Sequence, residues 1–240
     1  MLPTLAAVVV LSLAGCATGS APPPVDILLL GEQHDALAHQ QAHREAIRAL
    51  AAQGRLAVVA LEMAEQGTST AGLARGASEA DVRAALRWDD AAWPWSAYGP
   101  AVMAAAAAGV PVAGANLPRP GMRAAMADTA LDGFLPGPAL KAQQQAIRLG
   151  HCGLLPETQI APMTRIQIAR DRAMAETLAR SAVAGKTVVL LAGAGHVDPA
   201  IGVPQHLPRW LRVESRAHAP EPPKKDYCEE MRRQMLRRSS

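Results

Sequence analysis

Residues 25–35 (VDILLLGEQHD) constrain the fold more than any other segment of the chain. The apolar run ILLL is bounded by a glycine, and a short run of this kind is typical of a strand that is buried on both faces of a sheet. The polar residues Glu32, Gln33 and His34 follow at once. Polar groups just past the carboxyl end of such a strand lie where open α/β sheets bind their ligands. This junction therefore predicts a functional site.

Two later junctions repeat the pattern. The run TVVLL at residues 187–191 leads into AGAGHVD, which delivers His196 after a glycine. The strand predicted at 55–63 carries Glu62 near its end, where a charge is costly unless it is paired, belongs to a site or caps a helix. The carboxyl ends of parallel strands meet at one edge of a sheet, so we expect His34, Glu62 and His196 to face one crevice.

A fourth junction adds amide and guanidinium groups to this edge. The strand predicted at 110–115 is followed by Asn116 and Arg119, and arginine at such a place suits a carboxylate ligand. The longest predicted helix, 158–183, has one face that mixes polar residues with a methionine: Gln167, Arg170, Asp171 and Met174. This face is interpreted either as the wall of a pocket or as a solvated stripe.

Two further groups of residues have alternative interpretations. His39 and His43 are spaced i,i+4 on the helix predicted at 36–53, where they could chelate a metal ion or lie exposed on a polar helix. Residues 88–98 (WDDAAWPWSAY) gather aromatic side chains in a chain that has only 3% of them. They predict either core packing or the wall of a pocket for a flat ligand. The hydroxyl of Tyr98 needs a partner, so Tyr98 is the better functional candidate.

Composition and the alternation of strand and helix patterns predict an α/β domain. The 240 residues suit one compact domain, and the net charge of +3 without an aromatic-interleaved basic stripe argues against nucleic-acid binding. Alternating strand and helix patterns predict a mostly parallel sheet flanked by helices, built from residues 25–117 and 157–215 and ending in a strand at 210–213. A small helical subdomain is expected at 118–156, and a charged tail at 216–240.

The first residues predict an exported lipoprotein. Residues 5–13 are apolar and precede Leu-Ala-Gly-Cys, so residues 1–15 are interpreted as a signal peptide, although no Lys or Arg precedes the apolar run. Cys16 follows as in a bacterial lipobox and would be lipidated. The Pro-rich residues 16–24 predict a flexible tether, which would leave the mature protein anchored to a membrane through acyl chains. A buried amino-terminal strand is the alternative.

The two remaining cysteines lie far apart in the sequence. In an oxidising compartment Cys152 and Cys228 form an even pair, so a disulfide that clips the tail to the body is one interpretation. Two buried thiols, or a metal ligand at Cys152 beside His151, are the alternatives.

Taken in order, these segments resemble the ChaN family of bacterial haem-binding lipoproteins, within the group that includes the Tiki and TraB proteins. The matching motifs are the lipobox, LLLGEQHD, LEM, the segment of Tyr98, NLPR, HCGLLPE, QIARDRAMA and GAGH. The resemblance implies a homodimer that holds haem at its interface, with a tyrosine on the iron and with histidine and lysine from the partner subunit on the propionates. Tyr98 and Tyr227 are the two tyrosines, and the resemblance assigns neither.

The resemblance leaves two functions in competition. The first is a haem-binding lipoprotein of the outer membrane, active in iron or haem acquisition with an outer-membrane receptor as a further partner. The residues expected to contact haem in this case are Tyr98, His34, Arg119, His151 and Arg170. The second is a Tiki-like metal-dependent hydrolase, in which a divalent ion would be held by Glu32, His34, Glu62 and His196. A third interpretation is that these side chains only join loops through hydrogen bonds.

Overall fold

The computed structural model describes residues 25–238. The predicted signal peptide, the lipidated Cys16 and the tether lie outside the described residues. Within the described part of the chain, no helix combines the length and the apolar character needed to cross a membrane.

A parallel sheet of five strands forms the centre of the fold, in the order β3-β2-β4-β1-β5. The strands are β1 (Ile27–Glu32), β2 (Leu56–Glu65), β3 (Val112–Asn116), β4 (Thr187–Gly193) and β5 (Val213–Ala217). Every residue of β1 and β4 is buried, which explains their uninterrupted apolar runs. The α/β class with a parallel sheet flanked by helices is therefore confirmed.

Seven α-helices surround the sheet or extend from it within the described residues. They are α1 (Leu37–Ala52), α2 (Glu79–Ala85), α3 (Trp95–Ala107), α4 (Arg119–Ala127), α5 (Gly137–Gly150), α6 (Glu157–Ser181) and α7 (Tyr227–Arg238). Helices α1 and α3 cover one face of the sheet, where Ile47 and Val102 belong to the same apolar core as Val189. Helix α6 covers the other face, with Met174 and Leu178 packed on Leu190.

Between β3 and α6 the chain is wholly helical. Helix α4, a 3-10 helix at Thr129–Phe134 and α5 follow one another there. Leu131 and Leu135 pack with Ile168 of α6 in a small separate core. This segment therefore lies against α6, and α5 reaches the carboxyl edge of the sheet.

Some predicted elements were wrong in place or in environment. The last strand is β5 at Val213–Ala217 rather than 210–213. The predicted tail at 216–240 therefore begins inside a strand. Trp210 lies outside this strand, with 71% of its surface exposed. Helix α3 begins at Trp95, whose N–H donates to Asp90 Oδ1 at 2.7 Å, and it contains Tyr98. His39 and His43 are buried rather than exposed.

Candidate functional site

The carboxyl ends of β1, β2 and β4 open into one crevice of about 610 Å³. Glu32, the last residue of β1, pairs with Gly193 at the end of β4, and this register brings both junctions to one edge. The volume falls within the range of about 300–1,000 Å³ that is usual for small-molecule sites. Aliphatic groups on two sides include Ala146, Ile147 and Ile201. The polar lining residues are Glu32, Gln33, His34, Asp35, Glu62, Gln143, His151, Gln167, Arg170, His196 and Tyr227.

Glu32 orients His34 and binds Tyr98 beneath the crevice. One carboxylate oxygen, Oε1, accepts from the Tyr98 hydroxyl at 2.7 Å and lies 2.9 Å from His34 Nδ1. Tyr98 is only 2% exposed. Burial, together with the negative charge of Glu32, raises the pKa of this phenol far above its ordinary value. Tyr98 is therefore a neutral hydrogen-bond donor, and its hydroxyl is committed to Glu32.

Glu62 and His196 form the centre of a second, buried network. Glu62 accepts from Arg170 Nη2 at 2.5 Å and from the Gly193 N–H at 2.7 Å. His196 Nδ1 lies 2.5 Å from Asp171 Oδ1, and its Nε2 lies 3.4 Å from Glu62. Burial opposes protonation of His196, but the charges of Glu62 and Asp171 outweigh it and raise the pKa of the ring to about 9. The network therefore carries two cations, His196 and Arg170, around the Glu62 carboxylate.

His34 connects the two networks and faces the crevice. Its side chain is 42% exposed, and Nε2 lies 3.9 Å from Glu62 Oε2. Burial opposes protonation, but the hydrogen bond to Glu32 and the charge of Glu62 raise the pKa of the ring above its ordinary value. Trp93 meets the His34 ring edge-on with the centroids 4.9 Å apart. His34 is thus held as a partly exposed, readily protonated group.

The opposite rim of the crevice is built from α5 and the tail. His151 follows the last residue of α5, with Nδ1 at 2.8 Å from the Ile147 carbonyl oxygen. Cys152 forms a disulfide with Cys228, the second residue of α7. The neighbouring Tyr227 is 43% exposed and donates its hydroxyl to Asp35 Oδ2 at 2.8 Å. This hydrogen bond raises the pKa of the Tyr227 phenol.

The structure brings together most of the predicted site residues, with two exceptions. His34, His151 and Arg170 line the crevice. The Arg119 side chain is 71% exposed, pairs with Asp89 at 2.6 Å and lines a neighbouring cleft, so it does not reach the crevice. Tyr98 lies below the crevice rather than in its wall. Tyr98 and Arg119 each lie within the first turn of a helix, α3 and α4, respectively.

Tyr227 is the crevice residue that sequence reasoning placed only in a tail. The signal that could have placed it is its neighbour Cys228. A Cys152–Cys228 disulfide puts Tyr227 close to His151, and His151 precedes Cys152 directly in the chain. The crevice therefore depends on a segment that is far away in the sequence.

The predicted metal set does not form a metal site. Glu62 is already bound by Arg170 and the Gly193 N–H, and His196 Nδ1 is bound to Asp171. Within residues 25–238, no group of three or more His, Cys, Asp or Glu side chains is arranged to hold a metal ion. Of the alternative pair on α1, His39 is engaged, since its Nδ1 accepts from the Gln33 N–H at 3.0 Å, and His43 Nδ1 lies 3.5 Å from Glu32 Oε2. The divalent-ion alternative is therefore unsupported.

Fold and site together define a class: a parallel α/β domain with a helical segment over the carboxyl edge of its sheet and a crevice below that segment. The family model described as haem-binding uptake, Tiki superfamily, ChaN matches residues 23–207. The chain belongs to this family.

One solved structure supports the assignment. It is a structure of cofacial haem binding to ChaN of Campylobacter jejuni. That protein is 27% identical to this chain, with a TM-score of 0.69. The match covers 80% of this chain and 81% of that chain. No curated protein matches the sequence significantly.

Proposed function

We propose that the protein binds haem in the crevice at the carboxyl edge of the sheet. The observation that carries the proposal is the composition of the crevice: aliphatic walls on α5 and the loop after β4, with basic groups and a partly exposed phenol at the rim. The carboxylates Glu32, Asp35 and Glu62 also line it, but they are paired with His34, Tyr227 and Arg170, respectively. Apolar walls suit the macrocycle, and basic groups suit its carboxylates. Membership of the haem-binding uptake family supports the same ligand.

Tyr227 is the iron ligand in this proposal. Haem, when bound, would supply a ferric iron that takes an oxygen ligand, and tyrosinate is such a ligand. The sequence has two tyrosines, and the Tyr98 hydroxyl is buried and bound to Glu32 at 2.7 Å. Tyr227 is 43% exposed and lines the crevice. Iron binding by Tyr227 would release its phenol proton to solvent.

His34 and Arg170 would hold the propionates. Both line the crevice, and their side chains are 42% and 20% exposed. Protonation of His34 is favoured by Glu32, while Arg170 is fixed by Glu62 and by Asn116 Oδ1 at 2.9 Å. A guanidinium that is already oriented loses little freedom when it pairs with a carboxylate.

Filling the crevice should abolish this binding. Gly195 lines the crevice and has open space where a Cβ would stand, so Gly195→Phe adds a ring to the crevice. We expect its dissociation constant for hemin, measured by titration of the Soret band, to rise by more than about tenfold. Gly133→Phe is the matched control, because Gly133 is exposed, also has open space and lies outside the crevice. Absence of a saturable Soret change in the unsubstituted protein would refute haem binding.

We further propose that the protein acts in iron or haem acquisition as a homodimer on the outer membrane, anchored through Cys16 and served by a receptor there. The lipobox-like sequence before Cys16 and the haem-uptake family support this assignment. The anchor is tested by cell fractionation of Cys16→Ser, which should move the protein from the membrane to the soluble fraction. Retention of this variant in the membrane would refute lipidation as the anchor.

A further inference from the structure

The tail crosses the edge of the crevice as a strap, defined here as residues 218–238. The family match ends at residue 207, so the strap lies outside it. Its first part follows the loop after β1: the Glu221 N–H donates to Gln33 Oε1 at 3.1 Å, and the Lys224 N–H donates to Asp35 Oδ2 at 3.0 Å. These contacts deliver Tyr227 to the crevice.

The second part of the strap is held against the body differently. No residue from 227 to 237 in α7 is buried, so this helix has no apolar face packed into a core. A helix of 12 residues is marginal in water without such packing. Its covalent attachment is the Cys152–Cys228 disulfide, which joins residues 76 positions apart.

The disulfide ties the strap to the other rim of the crevice. Cys152 follows His151, and Cys228 follows Tyr227, so the bond joins the neighbours of two crevice residues. The Tyr227 hydroxyl is also bound to Asp35, which lies on the β1 side. Tyr227 is thus held from two sides of the crevice. The disulfide of its neighbour Cys228 holds it on one side, and its hydrogen bond to Asp35 holds it on the other.

We propose that this disulfide is a redox latch on the ligand site. A dithiol reductant donates two electrons and two protons, the Cys152–Cys228 bond breaks into two thiols, and the reductant becomes a disulfide. The strap then leaves the rim and takes Tyr227 with it, so the crevice opens and its ligand is released. This inference rests on the proposed function, because the released ligand is haem.

A redox latch and a purely structural disulfide differ in which part of the protein changes when the bond is reduced. The sheet and its two cores lie within residues 25–217 and do not include α7. Reduction of a latch therefore opens the strap locally and leaves the body folded. Reduction of a disulfide that stabilises the whole domain would destabilise all of it. The two cases are separable without any ligand.

The first test is hydrogen–deuterium exchange of the ligand-free full chain carrying Cys16→Ser, so that Cys152 and Cys228 are its remaining cysteines. On treatment with a phosphine reductant, we expect exchange in residues 219–238 to become about tenfold faster while β1 and β4 keep their protection. Unchanged exchange in the strap, or loss of protection throughout the sheet, would overturn the latch.

The second test is a hemin titration of the same protein. Reduction should raise the dissociation constant about tenfold, and Cys152→Ser with Cys228→Ser should match the reduced protein whether or not reductant is present. The double substitution controls for free thiols that bind iron and for reduction of the iron itself. Equal affinity in all samples would overturn the latch and leave haem binding intact. Absence of binding in the oxidised protein would refute the proposed function instead.

Discussion

Glu62→Ala should lower the free energy of unfolding by about 3–5 kcal/mol, because it removes the buried counter-charge of Arg170 and one of the two carboxylates beside the His196 cation. Glu62 is 2% exposed and is bound by Arg170 Nη2 at 2.5 Å and by the Gly193 N–H at 2.7 Å. The cationic His196 lies 3.4 Å away. After truncation both cations remain at low dielectric beside a cavity.

A matched control exists on the surface of α6. Glu176 and Arg180 have the same side-chain types at the same 2.5 Å, but they are 58% and 59% exposed. Glu176→Ala should change the free energy of unfolding by no more than about 1 kcal/mol, as is usual for exposed pairs. Urea denaturation of the two variants and the parent measures both. A loss below about 1 kcal/mol for Glu62→Ala would contradict the role assigned to the buried network.

The free energy of unfolding should also fall in mild alkali. Burial disfavours the His196 cation, but Glu62 and Asp171 outweigh this and raise the pKa of the folded state from 6.5 to about 9. A raised folded-state pKa contributes stability that is complete below pH 6.5 and is lost as the pH rises through about 9. At about 1.4 kcal/mol per pKa unit, the loss is of the order of 3 kcal/mol.

Urea denaturation at a series of pH values measures this loss. His196→Gln should flatten the curve between pH 6.5 and about 9, since it removes the titrating ring. His206→Gln is the control: burial, followed by the charge of Arg172, lowers the pKa of His206 to about 4, so this ring does not titrate in that range. A curve for the parent that stays flat across the range would show that His196 is neutral in the folded protein.

The buried strands of the sheet were well predicted because each contains an uninterrupted run of apolar residues. The runs ILLL and VVLL have apolar side chains on both faces, and this occurs where helices cover both sides of a parallel sheet. β5 was misplaced for the opposite reason. Among the described strands it pairs with β1 alone, at the sheet edge. Its residues VESRA are not buried, and so it lacks an apolar run.

Sequence reasoning located the part of the candidate site that lies at strand ends. It did not locate the part that depends on the direction of the Tyr98 side chain or on the tail. Glu62 and His196 lie together because parallel strands end at one edge, and Arg170 joins them because α6 crosses that edge. The direction of Tyr98 was not predictable, since α3 is apolar around its whole circumference and its sequence does not mark one face. Tyr227 reaches the crevice only through tertiary contacts of the tail.

The most direct test of the central claim is the absorption spectrum of the ferric haem complex in the parent protein, Tyr227→Phe and Tyr98→Phe. Each substitution removes one hydroxyl. We expect the parent and Tyr98→Phe to give the spectrum of tyrosinate-ligated ferric haem, and Tyr227→Phe to lose it. A Tyr227→Phe complex with the spectrum of the parent would contradict the assignment of the iron ligand, and loss of the tyrosinate spectrum in Tyr98→Phe alone would transfer that role to the buried phenol.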